Sequence, residues 1–225
     1  MFASMEIGRI AGIPIYLDMM FVLVLLFFTY PYFTAGNTQA VSAGFVIIVG
    51  ILISILLHEL GHAFAGRPFK AHVSRIELMG LGGVAHFERS LPRSVFARSV
   101  ISLAGPAVNL GLWFAFDALA GQAEMAGQWM VVTPLLELAW VNKVLLFFNL
   151  LPAYPLDGGH TLDAWLGRLL GSEWSVRIIA CLGIACAAWL AYISLPSNLY
   201  LLFVALSVAM TNWQKLQGLG RWHRW

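Results

Sequence analysis

Charged residues are scarce in this chain of 225 residues. They make up 11% of it, whereas hydrophobic residues make up 60%, and the mean hydropathy is +0.80. A water-soluble domain of this size carries about a quarter charged residues. The deficit excludes an ordinary soluble protein and indicates one whose solvent is the lipid bilayer. Basic residues with interleaved aromatic residues are also missing, so no nucleic-acid partner is expected.

Cysteine is equally rare. The chain has two cysteines, Cys181 and Cys186, and both lie in one apolar stretch. Two neighbouring thiols do not make a disulfide framework, so the fold has to be held together by packing and hydrogen bonds.

Long apolar runs are what the chain does have. A membrane-spanning helix needs about 20 mostly apolar residues, and six stretches approach that length, the last being short. They are residues 15–33, 41–65, 96–120, 131–151, 176–195 and 199–213. This pattern predicts an all-α polytopic membrane protein with about six transmembrane helices in a single domain over residues 1–225. No small-residue cleavage site follows the first run, so we expect a retained span rather than a removed signal peptide.

The connectors between these runs alternate in charge. Lysine and arginine are present in the connectors after the second, fourth and sixth runs and absent from residues 31–40, 121–130 and 196–198. Basic connectors stay on the cytoplasmic side of a membrane. We therefore expect a multi-pass integral membrane protein with both termini in the cytoplasm.

The second run ends in the motif HELGH, residues 58–62. Residues four apart lie on one face of a helix, so His58 and His62 can bind one metal ion. Glu59 lies beside them and can act as a general base towards a water molecule that zinc activates. Ionisable side chains inside a membrane helix are costly and are rarely kept without a use, so the motif predicts a catalytic zinc site.

A catalytic zinc ion usually has a third protein ligand. One set of candidates is the remaining histidines, His72, His86, His160 and His223, together with the acidic residues near the membrane surface. The stretch NLLPAYPLDGGH, residues 149–160, is the other, because two prolines must interrupt the helix there. It lies at the same predicted depth as HELGH. Asp157 in this stretch either turns towards the metal or caps a helix at the membrane surface.

Taken together, HELGH, NLLPAYPLDG and LAGPAVNL (residues 103–110) closely resemble the site-2 protease family of intramembrane metalloproteases. The resemblance covers most of the chain and implies that His58, His62 and Asp157 bind zinc. It further implies that Glu59 is the catalytic base and that Asn149 positions the site or stabilises the developing oxyanion. The chain looks like a minimal core of that family, without a PDZ or CBS domain.

The same resemblance implies the substrates and the location. Members of the family cleave transmembrane segments of other proteins, such as anti-sigma factors or membrane-tethered regulators, in regulated intramembrane proteolysis. Because the chain looks like a core without a PDZ or CBS domain, we expect separate partner proteins to regulate it. The bacterial inner membrane is the expected location.

A short β-hairpin is predicted between the second and third spans. Residues 76–79 and 84–87 have the composition of two strands, joined by the glycine-rich residues 80–83. A helix hides its peptide bonds, so a substrate has to unwind before water attacks it, and a free strand edge can hold an extended peptide. We therefore interpret Gly82, Gly83 and Val84 of this membrane-associated hairpin as substrate-binding residues, the alternative being a simple cytoplasmic loop.

Two other functions remain open from the sequence. A catalytically silent relative would serve as a membrane-protein binding scaffold, although such relatives usually lose the base or a ligand. A zinc transporter would favour several metal sites along a path, whereas these ligands converge at one depth.

Lys143, in the middle of the fourth run, should pair with an acid such as Asp117 or Glu137, or face water.

Overall fold

The computed structural model describes residues 4–80, 82–195 and 199–218. The predicted connector at 196–198 and Arg221, His223 and Arg224 of the C-terminal tail lie outside this range. In chain order the elements are β1 (Ser4–Ile10), β2 (Ile13–Asp18), α1 (Met19–Thr34), α2 (Thr38–Gly66), β3 (Val73–Met79), β4 (Gly82–Phe87), α3 (Val95–Met125), α4 (Trp129–Asn149), α5 (Asp157–Leu170), α6 (Ser172–Ser194) and α7 (Leu199–Leu216).

Apolar helices dominate the structure. Within the described residues, four helical segments are long and apolar enough to cross a membrane: α2 with the short 3₁₀ turn that follows it, α3, α4 and α6. Helix α1 is also apolar, but its 16 residues are fewer than a straight span requires. The chain is thus an integral membrane protein, and the count of six spans stays a prediction.

The expected first span at residues 15–33 is wrong at its beginning. Residues 13–18 form β2 rather than helix, and α1 starts only at Met19. Asp18 ends the strand and caps the helix, because its carboxylate accepts a hydrogen bond from the backbone N–H of Met20 at 2.7 Å. Side chains of β2 alternate between buried and partly exposed positions over most of the strand, a period of two that a search for long apolar runs does not separate from a helix.

The β-structure is larger than the predicted hairpin. Four strands form one sheet in the order β1-β2-β3-β4, in which β2 and β3 are parallel and the outer pairs antiparallel. The two predicted strands lie within β3 and β4. The N-terminal strands were not predicted, because β2 joins the sheet through β3, about 60 residues away in the chain, and β1 pairs only with β2. Local sequence patterns do not report such a distant partner.

The two faces of this sheet differ in polarity. Ile15 on β2, Ile76 on β3 and Ala85 on β4 are paired in register and buried on one face. This apolar face packs against side chains of α1 and α2 that include Phe21, Leu25, Ile55, Leu60 and Ala63. The opposite face carries Tyr16 and Glu77. Burial of the apolar face fixes β4 against the C-terminal part of α2.

Helix α5 and the surroundings of Lys143 also depart from expectation. The 14-residue α5 was not predicted, because it is amphipathic and too short for a span. Of the two alternatives for Lys143, the ion pair with Asp117 or Glu137 does not form among the described residues, and the side chain is exposed. The Lys143 ammonium lies 4.8 Å from the centroid of the Trp113 ring, a cation–π contact. The Glu137 carboxylate instead accepts a hydrogen bond from the hydroxyl of Tyr32.

Candidate metal centre

Three buried side chains converge where α2 meets α5. His58 and His62 lie one turn apart on α2, and their Nε2 atoms are 3.1 Å from each other. Asp157 is the first residue of α5. Its Oδ2 lies 3.2 Å from the His58 Nε2, and its Oδ1 lies 3.4 Å from the His62 Nε2. The break at the end of α4 therefore brings the predicted third ligand to the two histidines.

The ring of His58 is oriented by a residue of α3. Its Nδ1 lies 2.5 Å from the Oδ1 of Asn109, which is fully buried. An amide oxygen only accepts hydrogen bonds, so Nδ1 carries the proton and Nε2 keeps a free lone pair. That lone pair is directed towards His62 and Asp157.

A chain of buried hydrogen bonds fixes Asn109 in this orientation. Its Nδ2 donates to the Oδ1 of Asn142 on α4 at 2.9 Å. The Nδ2 of Asn142 donates to the hydroxyl of Ser54 on α2, and this hydroxyl donates to the carbonyl of Gly50. Because the Ser54 hydroxyl donates to a carbonyl, it accepts from the Asn142 amide nitrogen, and the Asn142 oxygen is left to accept from Asn109. The amide of Asn109 therefore has to present its oxygen to His58.

His62 is oriented in the same sense by the backbone. Its Nδ1 lies 2.7 Å from the carbonyl oxygen of Ile101 on α3, and a carbonyl can only accept. The proton of His62 is thus also on Nδ1, and its Nε2 lone pair faces that of His58.

These contacts amount to a site for a cation. Two nitrogen lone pairs 3.1 Å apart cannot hydrogen-bond each other, and the Oδ2 of buried Asp157 has no hydrogen-bond partner. Ligands about 2.0–2.1 Å from a tetrahedral zinc ion are about 3.3 Å apart, close to the separations seen here. The ligand atoms of His58, His62 and Asp157 all lie within 4.8 Å of one another. This buried group can bind zinc.

A glycine on α3 leaves the space that such an ion requires. A Cβ atom built on Gly105 would overlap the Nε2 atoms of both His58 and His62. Any other residue at this position would place its Cβ atom within 2.6 Å of both ligand nitrogens. The stretch LAGPAVNL therefore contributes to the site twice, through Gly105 and through Asn109.

Glu59 lies between the metal group and the sheet. Its side chain is buried. A Cβ atom built on Gly83 of β4 would lie 2.5 Å from its Cγ and 2.8 Å from its Oε1. Strand β4 is the last strand of the sheet, and it runs directly against this carboxylate at Gly83. The general base predicted from sequence therefore lies next to both the ligands and a strand edge.

The remaining predicted residues differ in where they lie. Val84 pairs with Glu77, so its side chain is on the face of the sheet opposite Gly83. The Nε2 of His86 lies 2.9 Å from the Glu77 carboxylate, which places His86 away from the ligands. Asn149 is the half-buried last residue of α4, and no hydrogen bond joins its side chain to the ligands among the described residues. Its catalytic role stays a prediction.

Two residues that orient the site were not predicted. Asn109 lies in the stretch LAGPAVNL, which carries the family resemblance, and Asn142 directly precedes Lys143 in the fourth apolar run. The available signal was an uncharged amide in the middle of an apolar helix, because such a group has to find a buried partner. The identity of that partner depends on helix packing, which the sequence does not show.

Comparison with known proteins agrees with this geometry. Residues 46–190 match Peptidase family M50. The chain is 31% identical to zinc metalloprotease MJ0392 of Methanocaldococcus jannaschii over 208 residues, which cover 91% of this chain and 58% of that protein. It is 28% identical to stage IV sporulation protein FB of Bacillus subtilis over 165 residues, which cover 71% of this chain and 56% of that protein. The chain spans little more than half the length of these two relatives.

A solved structure shares the fold. The site-2 protease from Methanocaldococcus jannaschii superposes with a TM-score of 0.68 and 27% sequence identity, and the match covers 95% of each chain. The helices, the small sheet and the buried His–His–Asp group thus occur in a chain with relatives that are zinc metalloproteases. The chain belongs to peptidase family M50, the site-2 proteases.

Proposed function

We propose that this protein is an intramembrane zinc endopeptidase that hydrolyses peptide bonds within transmembrane segments of other membrane proteins. The observation that carries the proposal is the convergence of the His58 and His62 lone pairs and the Asp157 carboxylate beside the buried Glu59. When bound, zinc supplies a Lewis acid and lowers the pKa of water towards about 7. Glu59 accepts the proton of the attacking water and returns it to the leaving amine.

The position of β4 supports a peptide substrate. Extended peptides bind to a free strand edge through main-chain hydrogen bonds. The backbone of Gly82, Gly83 and Val84 offers such an edge, and Gly83 lies against Glu59. A transmembrane helix that unwinds along this edge places a peptide bond next to the general base. Because the side chain of Val84 points to the other face of the sheet, Val84 contributes to peptide binding through its backbone.

The biological setting is part of the same proposal. Substrates are single-span proteins such as anti-sigma factors or membrane-tethered regulators, cleaved in regulated intramembrane proteolysis with the help of regulatory partner proteins. The location is the bacterial inner membrane with both termini in the cytoplasm, which agrees with the alternation of connectors that contain lysine and arginine and connectors that contain neither. Asn149, at the end of α4, is proposed to orient the substrate or its developing oxyanion.

The test is cleavage of a defined substrate by the full chain in lipid nanodiscs. The probe is a single-span protein whose leucine-rich transmembrane segment contains a Gly–Pro pair, since such a segment unwinds readily. We expect zinc-dependent cleavage within the segment by the wild type. Glu59→Gln should bind zinc normally and lose at least about a hundredfold in rate, within the range of general-base catalysis.

Other outcomes identify the alternative functions. Equal cleavage by wild type and Glu59→Gln contradicts the role of Glu59. Zinc binding without cleavage of the probe or of several other single-span proteins favours a binding scaffold. Movement of zinc into sealed vesicles favours a transporter.

A further inference from the structure

A buried asparagine of the last helix contacts the loop that carries Asp157. Asn212 lies on α7 and is fully buried. Its Oδ1 accepts a hydrogen bond from the backbone N–H of Tyr154 at 3.1 Å, and its Nδ2 donates to the carbonyl of the same residue at 2.8 Å. A third bond, from Nδ2 to the carbonyl of Val208, holds the side chain against its own helix.

Tyr154 has few other ways to satisfy its backbone. It lies in the interrupted segment between α4 and α5, it is buried, and Pro155, which follows it, has no N–H group. Buried backbone groups require partners, and this segment has no regular helix or strand to supply them. The Asn212 side chain of α7 therefore supplies the two hydrogen bonds that a continued helix would have given to the backbone of Tyr154.

The segment between α4 and α5 is packed closely against the backbone around Asp157, so the position of Tyr154 restricts the position of Asp157. The N–H of Leu156 donates to the carbonyl of Ala153 at 2.9 Å, and Asp157 follows directly. A Cβ atom on Gly158 would lie 2.6 Å from the carbonyl oxygen of Leu151. With no free space between the segment and the start of α5, displacement of Tyr154 displaces Asp157 as well.

Helix α6 holds Asn212 in place from the other side. A Cβ atom on Gly183 would lie 2.6 Å from the Nδ2 of Asn212. Ala187 of α6 and Val204 of α7 also pack against Ala153 and Leu156 in one apolar cluster. The amide is thus confined between α6 and the segment it bonds.

We propose that Asn212 is a positioning residue for the metal site: it fixes Tyr154, and thereby sets the place of the Asp157 carboxylate relative to His58 and His62. The inference rests on the proposed function, in which Asp157 is a zinc ligand. It assigns to α7 a role in metal binding although α7 contributes no ligand to the described group.

The test measures metal binding by the full chain in detergent rather than activity. Zinc dissociation constants are obtained by competition with a chelator for wild type, Asn212→Ala, Asp157→Ala and the double variant. We expect Asn212→Ala to weaken zinc binding about tenfold, the lower end of the effect of residues that orient ligands. In the Asp157→Ala background the same substitution should change binding less than about twofold, because Asn212 acts on the metal only through the position of Asp157.

A matched control and a second variant separate positioning from general stability. Thr211→Val removes a neighbouring hydrogen bond that stays within α7, so it should leave zinc binding unchanged. Gly183→Ala presses on Asn212 without deleting it and should weaken zinc binding in the same direction, which keeps the test available if Asn212→Ala does not fold. The absorption spectrum of the cobalt-loaded protein should change in Asn212→Ala and Gly183→Ala but not in Thr211→Val.

Each contrary result has a distinct meaning. Unchanged zinc binding and an unchanged cobalt spectrum in Asn212→Ala and Gly183→Ala overturn the positioning role while the proposed function stands. A loss of equal size with and without Asp157 also overturns it. If Asp157→Ala itself binds zinc like the wild type, the third ligand is wrong, and the positioning role is rejected with it.

Discussion

The Nδ1 atom of His58 on α2 lies 2.5 Å from the Oδ1 atom of Asn109 on α3. This contact determines which nitrogen of the imidazole is free for a metal ion, because the amide oxygen can only accept. It also makes the metal site dependent on how three helices pack, since Asn109 is held in turn by Asn142 on α4.

Replacing Asn109 should weaken zinc binding without removing a ligand. In Asn109→Leu the His58 ring loses the acceptor for its Nδ1 proton, and the amide of Asn142 loses a buried donor. Loss of a residue that orients a metal ligand typically costs about 10–100-fold in affinity. Competition with a chelator measures this loss. Ser194→Ala, which removes a partly buried hydrogen bond within α6, serves as the control and should bind zinc as the wild type does.

Adding a methyl group at Gly105 should prevent metal binding almost completely. The new Cβ overlaps the Nε2 atoms of both histidines, so the ion and the side chain compete for one space. Gly111→Ala is the matched control, because it lies on the same helix and its Cβ would meet no atom within 4 Å. Zinc content after dialysis should be near zero for Gly105→Ala and normal for Gly111→Ala. Equal zinc contents would contradict the placement of the site.

A methyl group at Gly83 should separate catalysis from metal binding. Its Cβ would lie 2.8 Å from the Oε1 of Glu59, so the carboxylate has to move while His58 and His62 stay in place. Displacement of a catalytic group by about 1 Å can cost about a hundredfold in rate. We expect Gly83→Ala to keep its zinc and to lose most cleavage of the single-span probe.

The control for Gly83 is Met79→Ala on the neighbouring strand. Met79 pairs with Gly82, and its side chain is on the face of the sheet opposite Glu59. The Met79→Ala variant should cleave the single-span probe at the wild-type rate. A normal rate in Gly83→Ala would show that β4 does not restrict Glu59.

Removal of zinc should lower the melting temperature of the protein. A ligand present at a hundred times its dissociation constant stabilises the folded state by about 2.7 kcal/mol. A chelator should therefore lower the Tm, and added zinc should restore it. Glu59→Gln should keep this difference and His58→Ala should lose most of it, as measured by intrinsic fluorescence during heating. A zinc-independent Tm in the wild type would contradict a metal held by this buried group.

Much of the helical framework and of the ligand set was predictable from local pattern. Apolar runs located α2, α3, α4, α6 and α7 to within five residues at each end. They missed the amphipathic α5 and the strand at the beginning of the first run. The spacing in HELGH placed His58 and His62 on one helix face, and the prolines before Asp157 indicated the break that turns it inwards. These features depend on short stretches of chain, where helical periodicity and proline geometry act directly.

The sheet was only partly predictable. Glycine-rich residues between two short runs indicated β3 and β4, but the parallel pairing of β2 with β3 joins residues about 60 apart. Strand formation at β2 depends on that distant partner and on burial against α1 and α2. Without this information, residues 15–18 were assigned to a helix.

The sequence by itself determined that the chain is a membrane protein and that it resembles the site-2 proteases. It also predicted His58, Glu59, His62 and Asp157 as site residues, because hydropathy and motif spacing are properties of contiguous segments. Only the tertiary structure decided the atoms around them. It directed both Nε2 lone pairs at Asp157, placed Gly105 and Gly83 where no side chain fits, and bonded Asn212 of the last helix to Tyr154. Those relationships arise from close packing between helices far apart in the chain, where each buried polar group has to find its partner.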